Sequence, residues 1–343
     1  MQLLGSLLPA LLASQRVTVS DVYLSEANSP AFSDLCRPAG RIHRYKRLLP
    51  NAVSRLLECT IFSGYFDGKD PLLVLGDIPL RCKARQVVFV QTPHLLKTQH
   101  SSISLSSLKT RLMRWVFRHN SRYVQAFIVQ TSAMERALVS SYPTLAGKVH
   151  TVSQPPPTWL LNAGLRKQPR TFTKSDRLHL IYPAADYPHK NHRVLQAICT
   201  DSQAEWPVEE LLLTIPPEKN PAPKVPWIKC AGILQPEAMT AAYCSADALL
   251  FLSSAESYGF PLIEAMYLGL PILCADRPYA RALCGDSAIY FDPDGIQSIH
   301  AAICELKIRL TNGWRPNWSA QLSRIPPNWN AVADRFIDIV EQS

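Results

Sequence analysis

Two glutamates separated by seven residues, Glu256 and Glu264, stand in the segment ESYGFPLIE. The glycine turn between them is followed by Pro261, whose fixed φ and missing N–H suit the first position of a helix. Gly269 then ends that helix, which places Glu264 in its first turn. The segment therefore predicts a loop with one carboxylate that leads into a helix with the other.

The N-terminus of this predicted helix is suited to binding phosphate. The N–H groups of Gly259, Phe260 and Leu262 would surround a concavity at the positive end of the helix dipole, where a diphosphate is stabilised. Glu256 above it and Glu264 behind it could each accept hydrogen bonds from the hydroxyls of one of two sugar rings. This chemistry suits a nucleotide-activated sugar, although the spacing alone also fits two solvated glutamates.

Length and composition predict two domains. The 343 residues exceed what one hydrophobic core usually organises, and 47% apolar residues suffice to fill two cores. Three consecutive prolines in SQPPPTWLLNAGLRKQP interrupt any helix or central strand. We therefore place the division there, with domains at 1–155 and 156–325.

Both halves alternate short apolar runs with helix signals, as in parallel sheets buried on both faces. We expect an α/β fold of two doubly wound, Rossmann-like units. Ser132 and Glu135 should form a capping box that opens one of the helices. The runs predicted as strands are VTVSDVYL, LLVLG, VVFV, AFIV and VHTV in the first half, and LHLIYPA, ELLLTI, WIKCAG, ALLFLS, PILCA and AIYFDP in the second.

Hydropathy and cysteine usage predict a cytoplasmic protein. No apolar stretch approaches the ~18 residues needed to span a bilayer. The first segment, MQLLGSLLPALLA, lacks a basic flank and contains Pro9. The nine cysteines are an odd number without a C-x-x-C pair, which favours small buried side chains over disulfides or a zinc site.

The positive charge is concentrated in the first half. Residues 1–150 contain 19 Lys and Arg against 8 Asp and Glu, whereas residues 151–343 contain 17 against 19. An excess of this size indicates an anionic partner for the N-terminal half, such as a phospholipid surface, a phosphate-bearing acceptor or nucleic acid.

One segment of this half, LSSLKTRLMRWVFRHNSRYV, predicts a basic amphipathic helix. An apolar stripe should face the core and an arginine stripe should face solvent. Trp115 beside the arginines keeps peripheral membrane contact open. The apolar stripe is Leu105, Leu108, Leu112, Trp115 and Val116, and the basic stripe is Arg111, Arg114 and Arg118.

From Trp227 to Pro293 the chain resembles the C-terminal half of glycosyltransferase family 4, the group 1 glycosyltransferases. The resemblance is carried by the core GFPLIEAM, by Ala246-Asp247-Ala248 before a strand, and by Gly285-Asp286 before the strand that ends in FDP. Upstream, YPAADYPHKNHRVL is similar to the lysine-bearing loop of the family and includes Lys190. Weaker likeness in LLVLGDIPL, VVFVQTPHLL and FIVQTSAMERAL extends over most of the chain.

This resemblance implies a retaining GT-B glycosyltransferase that transfers a sugar from a nucleotide diphosphate sugar to a saccharide or lipid-linked acceptor, in polysaccharide or lipopolysaccharide synthesis. The first domain would bind the acceptor and the second the donor, and a last helix at 326–343 would pack back towards the first domain. Glu256 would contact the donor sugar, Glu264 the ribose, and Lys190 the diphosphate. The remaining donor contacts would come from Ser257, Tyr258, Gly259, Phe260, Pro261 and Leu262.

His94, in the loop after the strand VVFV, would be the N-terminal partner of the donor sugar on the same resemblance, with Gln91 as the alternative position. No cofactor or metal is expected beyond the donor itself. The D-x-D pattern of Asp292 and Asp294 stands at the end of a strand before Gly295, and therefore predicts a turn.

The chain departs from the family pattern in two places. The first strand and its glycine-rich loop are not found, since MQLLGSLLPALLASQ already resembles the helix that should follow them. Either the true start lies upstream, the fold has adapted, or this copy is inactive. In addition, the family often has an arginine five residues before the lysine, and here that position is Ala185. Lys190 could then act alone, or His189 or Arg193 could supply a second donor to the diphosphate.

Other functions remain open at the level of sequence. The departures fit a catalytically silent homologue that still binds sugar nucleotides. The basic half would fit a nucleic-acid-binding protein, although no recognition motif supports one, and we expect no nucleic acid. A sugar-nucleotide epimerase would share the fold, but the two-glutamate segment favours transfer.

Overall fold

The computed structural model describes residues 2–25, 41–46, 51–69, 71–96, 106–165, 170–198 and 205–343. The chain forms two compact units, of which the first comprises Met1–Pro155 together with Pro326–Ser343 and the second Pro156–Ile325. The division lies within the three consecutive prolines, which can neither continue a helix nor donate to a central strand.

The first unit alternates helices and strands from its start. Its elements up to the proline segment are α1 (Gln2–Ala13), β1 (Asp21–Ser25), β2 (Arg41–Tyr45), α2 (Asn51–Thr60), β3 (Leu72–Val74), β4 (Gln86–Phe89), α3 (Ser106–Asn120), β5 (Val124–Val129), α4 (Ser132–Ser141) and β6 (Val149–Thr151).

These strands form two parallel sheets. β1 pairs with β2, and the other sheet has the order β3-β4-β5-β6. Among the strands that the structure describes, β1 and β3 each have one neighbour only.

The capping box predicted for α4 is wrong by one residue. Thr131 is the N-cap, and its side chain accepts a hydrogen bond from the Met134 N–H at 3.1 Å. Glu135 instead accepts a hydrogen bond from the Thr151 hydroxyl of β6 at 2.6 Å. Because a capping box and a single threonine cap look alike in sequence, only the hydrogen bonds distinguish them.

The second unit continues with α5 (Thr158–Ala163), β7 (Leu178–Tyr182), β8 (Val208–Leu213), β9 (Ile228–Cys230), α6 (Pro236–Ser245), β10 (Ala248–Phe251), α7 (Phe260–Leu268), β11 (Ile272–Ala275), α8 (Pro278–Cys284), β12 (Ile289–Phe291), α9 (Ile296–Thr311) and α10 (Ser319–Leu322).

All six strands of this unit lie in one parallel sheet with the order β12-β11-β10-β7-β8-β9. Every residue of β10 and β11 is buried, as expected for strands covered by helices on both faces. The order runs outward in both directions from β7, so the connections reverse direction between β7 and β10. Ligands of such sheets bind outside the carboxyl ends of the strands at this point.

The last helix, α11 (Trp329–Gln342), packs within the first unit. Phe336 is fully buried and its ring lies 5.2 Å from that of Phe89 in β4, edge to face. Arg16, just after α1, pairs with Asp338 at 2.7 Å and with Glu341. The buried face of this helix comprises Trp329, Val332, Ala333, Phe336, Ile337 and Ile339.

Helix α3 is present, but its faces differ from those predicted. Leu112 and Trp115 are 45% and 60% exposed, whereas Val116 and Phe117 are buried. The buried face of α3 therefore lies about one residue further along the helix than the predicted apolar stripe. Leu105 lies outside the described residues, and nothing is described of the Leu108 side chain.

Candidate functional site

Two loops leave the sheet of the second unit side by side, one after β7 and one after β10. The first ends in a short helical turn, Pro188–Lys190, and the second leads through Glu256 to Gly259. Because β7 and β10 are neighbours in the sheet, the two loops lie together where the connections reverse.

The structure brings Lys190 and Glu256 into direct contact. The Lys190 Nζ donates a hydrogen bond to Glu256 Oε1, and the two side chains are only 16% and 12% exposed. The Lys190 Nζ also lies 5.9 Å from the centroid of the Phe251 ring. The cation predicted for a phosphate and the carboxylate predicted for a sugar thus form one ion pair, held largely away from solvent.

A backbone carbonyl joins the two loops. The His189 carbonyl accepts hydrogen bonds from the Ser254 N–H at 2.8 Å, the Ser254 hydroxyl at 3.0 Å and the Ser253 hydroxyl at 3.2 Å. The residue before Lys190 is therefore fixed to the residues that precede Glu256. These three bonds set the separation of the two charged side chains.

Two buried tyrosines support one loop each. The Tyr182 hydroxyl donates to the Lys190 carbonyl at 2.6 Å, and the Tyr279 hydroxyl donates to the Ser253 carbonyl at 2.6 Å. Burial, together with the nearby Glu256 carboxylate, raises the pKa of both phenols above their usual range, so both remain protonated donors.

The turn that opens α7 requires glycine. Gly259 has φ +89°, and a Cβ there would lie 3.2 Å from the Leu262 side chain, so another residue would be strained and crowded. The helix begins at Phe260, which puts Pro261 at the second helical position rather than the first. The prediction of a free Leu262 N–H is also wrong, since this group donates to the Gly259 carbonyl at 2.9 Å.

Glu264 lies deeper than predicted. It is the fifth residue of α7 and is therefore not in the first turn, and it is only 4% exposed. One carboxylate oxygen accepts a hydrogen bond from the Tyr243 hydroxyl of α6 at 2.5 Å. This bond orients Glu264 from behind the turn, on the side of the sheet where α6 packs.

The remaining predicted donor residues surround the same turn. Tyr258 is 1% exposed, and its ring packs edge to face on that of Phe260 at 5.2 Å. Ser257 is half-buried. Tyr258 and Leu262 thus face the core, whereas Phe260 and Pro261 at the same turn are half-buried.

His94 belongs to the first unit, where it is exposed in the turn Pro93–Leu95. Its carbonyl accepts a hydrogen bond from Arg114 Nε at 3.0 Å. Gln91, the alternative, points back to the sheet and donates to the Leu75 carbonyl at 3.2 Å.

Asp77, in the loop that follows β3, contacts the loop of Gln91 and was not predicted from the sequence. Its carboxylate accepts hydrogen bonds from the Gln91 and Thr92 N–H groups at 2.5 and 3.0 Å, and its own φ is +65°. Burial raises the pKa of Asp77. The signal in the sequence was the dipeptide Gly76-Asp77 after β3, because aspartate tolerates a left-handed backbone better than most residues.

His192, two residues after Lys190, was also missed. It is 5% exposed, its ring lies 4.9 Å from that of Tyr182, and neither ring nitrogen has a hydrogen-bond partner among the described residues. Burial lowers its pKa to about 4. The imidazole is thus neutral at physiological pH.

The two side chains proposed to replace the family arginine are those of His189 and Arg193, in place of Ala185. Ala185 is exposed, and Arg193 is exposed on the turn that follows Lys190. The His189 ring stacks on Tyr187 at 5.8 Å. Lys190 is therefore the cation that the described part of this loop places against Glu256.

The described residues contain no cluster of three or more His, Cys, Asp or Glu side chains suited to hold a metal ion. Asp292 and Asp294 form a turn, in which the Asp294 N–H donates to the Asp292 carboxylate at 3.1 Å. None of the described helices is long and apolar enough to span a bilayer.

These contacts describe a doubly wound unit in which the N-terminus of α7 lies beside a Lys–Glu ion pair, an arrangement that can be compared with known proteins. Residues 228–308 match the family model of the glycosyl transferases group 1. An O-antigen chain mannosyltransferase B of Escherichia coli is 29% identical over 89 residues, which cover 26% of this chain and 23% of that protein. The resemblance drawn from the sequence is confirmed.

Solved structures confirm the GT-B fold. A glycosyltransferase from Rickettsia africae ESF-5 matches with a TM-score of 0.68 at 12% identity, covering 98% of this chain and 93% of that one. The sucrose-phosphate synthase of Thermosynechococcus elongatus matches with a TM-score of 0.52 at 14% identity, covering 76% of this chain and 66% of that one. At these identities, the likeness is one of fold.

Proposed function

We propose that this protein is a retaining glycosyltransferase that moves a sugar from a nucleotide diphosphate sugar to a saccharide or lipid-linked acceptor. The observation that carries the proposal is the contact between Lys190 and Glu256 beside the opening turn of α7. It brings a cation, a carboxylate and a helix N-terminus to the carboxyl end of the sheet, where a sugar nucleotide needs all three.

Each group has a role that follows from its charge. Lys190 and the turn at Gly259 would bind the diphosphate, Glu256 the hydroxyls of the donor sugar, and Glu264 the ribose. The bond from the anomeric carbon to the phosphate oxygen breaks, and its electron pair leaves with the diphosphate. Lys190 stabilises the negative charge that develops there.

In the retaining reaction, the acceptor oxygen bonds to the anomeric carbon on the face that the diphosphate leaves, and the departing phosphate oxygen takes the acceptor proton. No carboxylate nucleophile is then needed, which agrees with the pairing of Glu256 to a lysine. His94 in the first unit would contact the donor sugar, and the basic first unit would bind the acceptor. We propose that no metal takes part.

The family match and the mannosyltransferase relative support transfer to a polysaccharide, with lipopolysaccharide as one such product. A cytoplasmic position, at the inner face of a membrane, would suit an acceptor on a lipid. The alternative is a homologue that binds sugar nucleotides without transferring them, which Ala185 in place of an arginine favours.

A thermal-shift panel of nucleoside diphosphates and sugar nucleotides tests the donor site directly, because a ligand that binds only the folded state raises its stability. We expect a shift with one nucleotide family that Lys190→Ala removes and Lys219→Ala retains, since Lys219 is an exposed lysine of the same unit. No shift with any nucleotide would reject the donor site. A shift without product formation would support the silent homologue.

The stereochemistry needs its own measurement. Once a donor and an acceptor are found, the anomeric configuration of the product, read by NMR, should match that of the donor sugar. Inversion would refute the retaining mechanism and leave the donor site intact.

A further inference from the structure

The outward face of α3 carries exposed apolar and cationic side chains together. Trp115 is 60% exposed and Leu112 45% exposed. Arg111, Arg118 and Arg122 are exposed beside them, with Arg122 in the turn that follows the helix. Positions 111, 115 and 118 are spaced four and three residues apart in α3 and therefore share one face of the helix, and Arg122 follows in the next turn.

No carboxylate from the same stretch of sequence neutralises this face. Between Asp77 and Glu135 the chain contains nine Lys and Arg but no Asp or Glu. The opposite face of α3 is fixed to the unit by the buried side chains of Val116 and Phe117. The outward face is thus presented by a helix that the core already orients.

We propose that the outward face of α3 (Arg111, Leu112, Trp115, Arg118 and Arg122) binds the surface of an anionic phospholipid bilayer. The arginines would contact lipid phosphates, and Trp115 and Leu112 would enter the headgroup region. Tryptophan is the side chain most suited to that depth, since its ring is apolar and its N–H is polar. A lipid surface is the partner that we infer because its negative charge complements the arginines and its headgroup region accommodates the two apolar side chains between them.

Single-stranded nucleic acid would fit the same charge but not the same apolar groups. Bases bind by stacking on free aromatic faces. One face of the Trp115 ring is already covered by His119, at 5.5 Å between centroids and 12° between planes. Leu112 offers no face for stacking, whereas a lipid surface accommodates both.

The helix that would lie on the bilayer also holds the loop of His94. Arg114 of α3 donates hydrogen bonds to the His94 and Leu96 carbonyls, the first at 3.0 Å. On the proposed function, on which this step rests, binding of α3 to a bilayer would bring His94 to a fixed distance from an acceptor anchored in the same lipid.

The test is co-sedimentation of the full chain with vesicles of phosphatidylglycerol and phosphatidylethanolamine, against vesicles of phosphatidylcholine. We expect binding to the anionic vesicles alone, weakened by salt. Trp115→Ala should weaken it about tenfold. Replacing Arg111 and Arg118 together by Gln should weaken it roughly 25-fold, at about a factor of five for each charge.

Two matched variants control for general loss of charge or apolar surface. Ile308→Ala removes an aliphatic side chain that is 62% exposed on α9, and Arg136→Gln removes an exposed charge on α4. Both should bind anionic vesicles as the unchanged protein does. Equal binding to both vesicle types, or retention of binding in Trp115→Ala, would overturn the proposal.

A parallel titration with a fluorescent oligonucleotide separates the competing partner. Tight oligonucleotide binding that Trp115→Ala abolishes, without vesicle binding, would overturn the lipid proposal in favour of nucleic acid. The link to transfer is tested separately, because Trp115→Ala should slow transfer to an acceptor in vesicles but not to a short water-soluble acceptor. Absence of both reactions would refute the proposed function and leave the vesicle result standing.

Discussion

Lys190 and Glu256 are joined in one largely buried ion pair, between the cation that we propose for a diphosphate and the carboxylate that we propose for a sugar. A bound sugar nucleotide would have to replace this pair with two new contacts, one to phosphate and one to hydroxyls. Breaking the pair should therefore affect the binding of a free nucleoside diphosphate and the use of the complete donor in opposite directions.

Glu256→Gln should tighten the binding of a free nucleoside diphosphate and slow transfer. The substitution releases Lys190 from its partner, and about 1 kcal/mol of recovered interaction corresponds to roughly fivefold in Kd. Without ligand, the variant should be less stable, because a largely buried lysine loses its counter-charge. Isothermal calorimetry and thermal denaturation measure the two effects.

Glu218→Gln, on an exposed turn of the same unit, is the control for loss of a negative charge. It should change neither quantity appreciably. If Glu256→Gln weakened the diphosphate and the sugar nucleotide equally, the division of roles between Lys190 and Glu256 would be refuted.

Tyr182→Phe and Tyr279→Phe should each raise the KM for the donor. Each removes the hydroxyl that holds one of the two loops, at a cost of about 1 kcal/mol in stability. Tyr290→Phe is the matched control, since its hydroxyl also donates to a backbone carbonyl, that of Gly285, at 2.5 Å. Tyr290→Phe should lose a similar amount of stability with no change in the KM for the donor. A similar rise of this KM in all three variants would argue against a positioning role for Tyr182 and Tyr279.

His192 should make the second unit sensitive to acid. Burial lowers its pKa from 6.5 to about 4, so between these values the unfolded chain binds a proton that the folded chain does not. Its contribution to the free energy of unfolding is complete above pH 6.5 and falls by about 3 kcal/mol as pH decreases to 4.

Urea unfolding of His192→Leu at pH 7 and pH 4 measures this contribution as a difference from the unchanged protein. The variant should gain about 3 kcal/mol relative to it on acidification. Equal losses in both proteins would show that the imidazole is protonated, and therefore solvated, in the folded state.

Phe336→Ala should destabilise the first unit by about 3 to 5 kcal/mol, because it empties a fully buried position against Phe89. Denaturant unfolding followed by fluorescence checks this value. Arg335→Ala, an exposed residue of the same helix, should cost no more than about 0.5 kcal/mol. Similar effects of the two changes would mean that α11 does not pack on the sheet in solution.

Most of the fold could be predicted from the sequence because parallel strands covered on both faces are short apolar runs. Strands such as β10 and β11 are wholly buried and need no tertiary context to be recognised. The faces of α3 were misassigned because its buried side is narrow: a helix packed by Val116 and Phe117 can leave Trp115 exposed, and only neighbouring elements decide which apolar residues are covered.

The site was predicted as residue types but not as contacts. Spacing placed Glu264 near the start of a helix, yet its burial depends on Tyr243 of α6, a residue 21 positions away. The ion pair joins positions 66 apart, and spacing along the chain does not encode such a distance. The orphaned imidazole of His192 could not be anticipated either, because a histidine after a lysine is ordinarily solvated.

The sheet of β1 and β2, which pairs with no other described strand of the first unit, has a dynamic consequence. Among the described residues, Leu8 and Leu24 form a small core cluster flanked by Leu12, Val22 and Ile42, and Tyr23 packs edge to face on Tyr65 and Phe66. A small sheet of this kind opens as one cooperative unit, at a free energy below that of global unfolding. In native-state hydrogen exchange, the amides of β1 and β2 should lose protection well before those of β4 and β5, so the first unit should unfold in two steps.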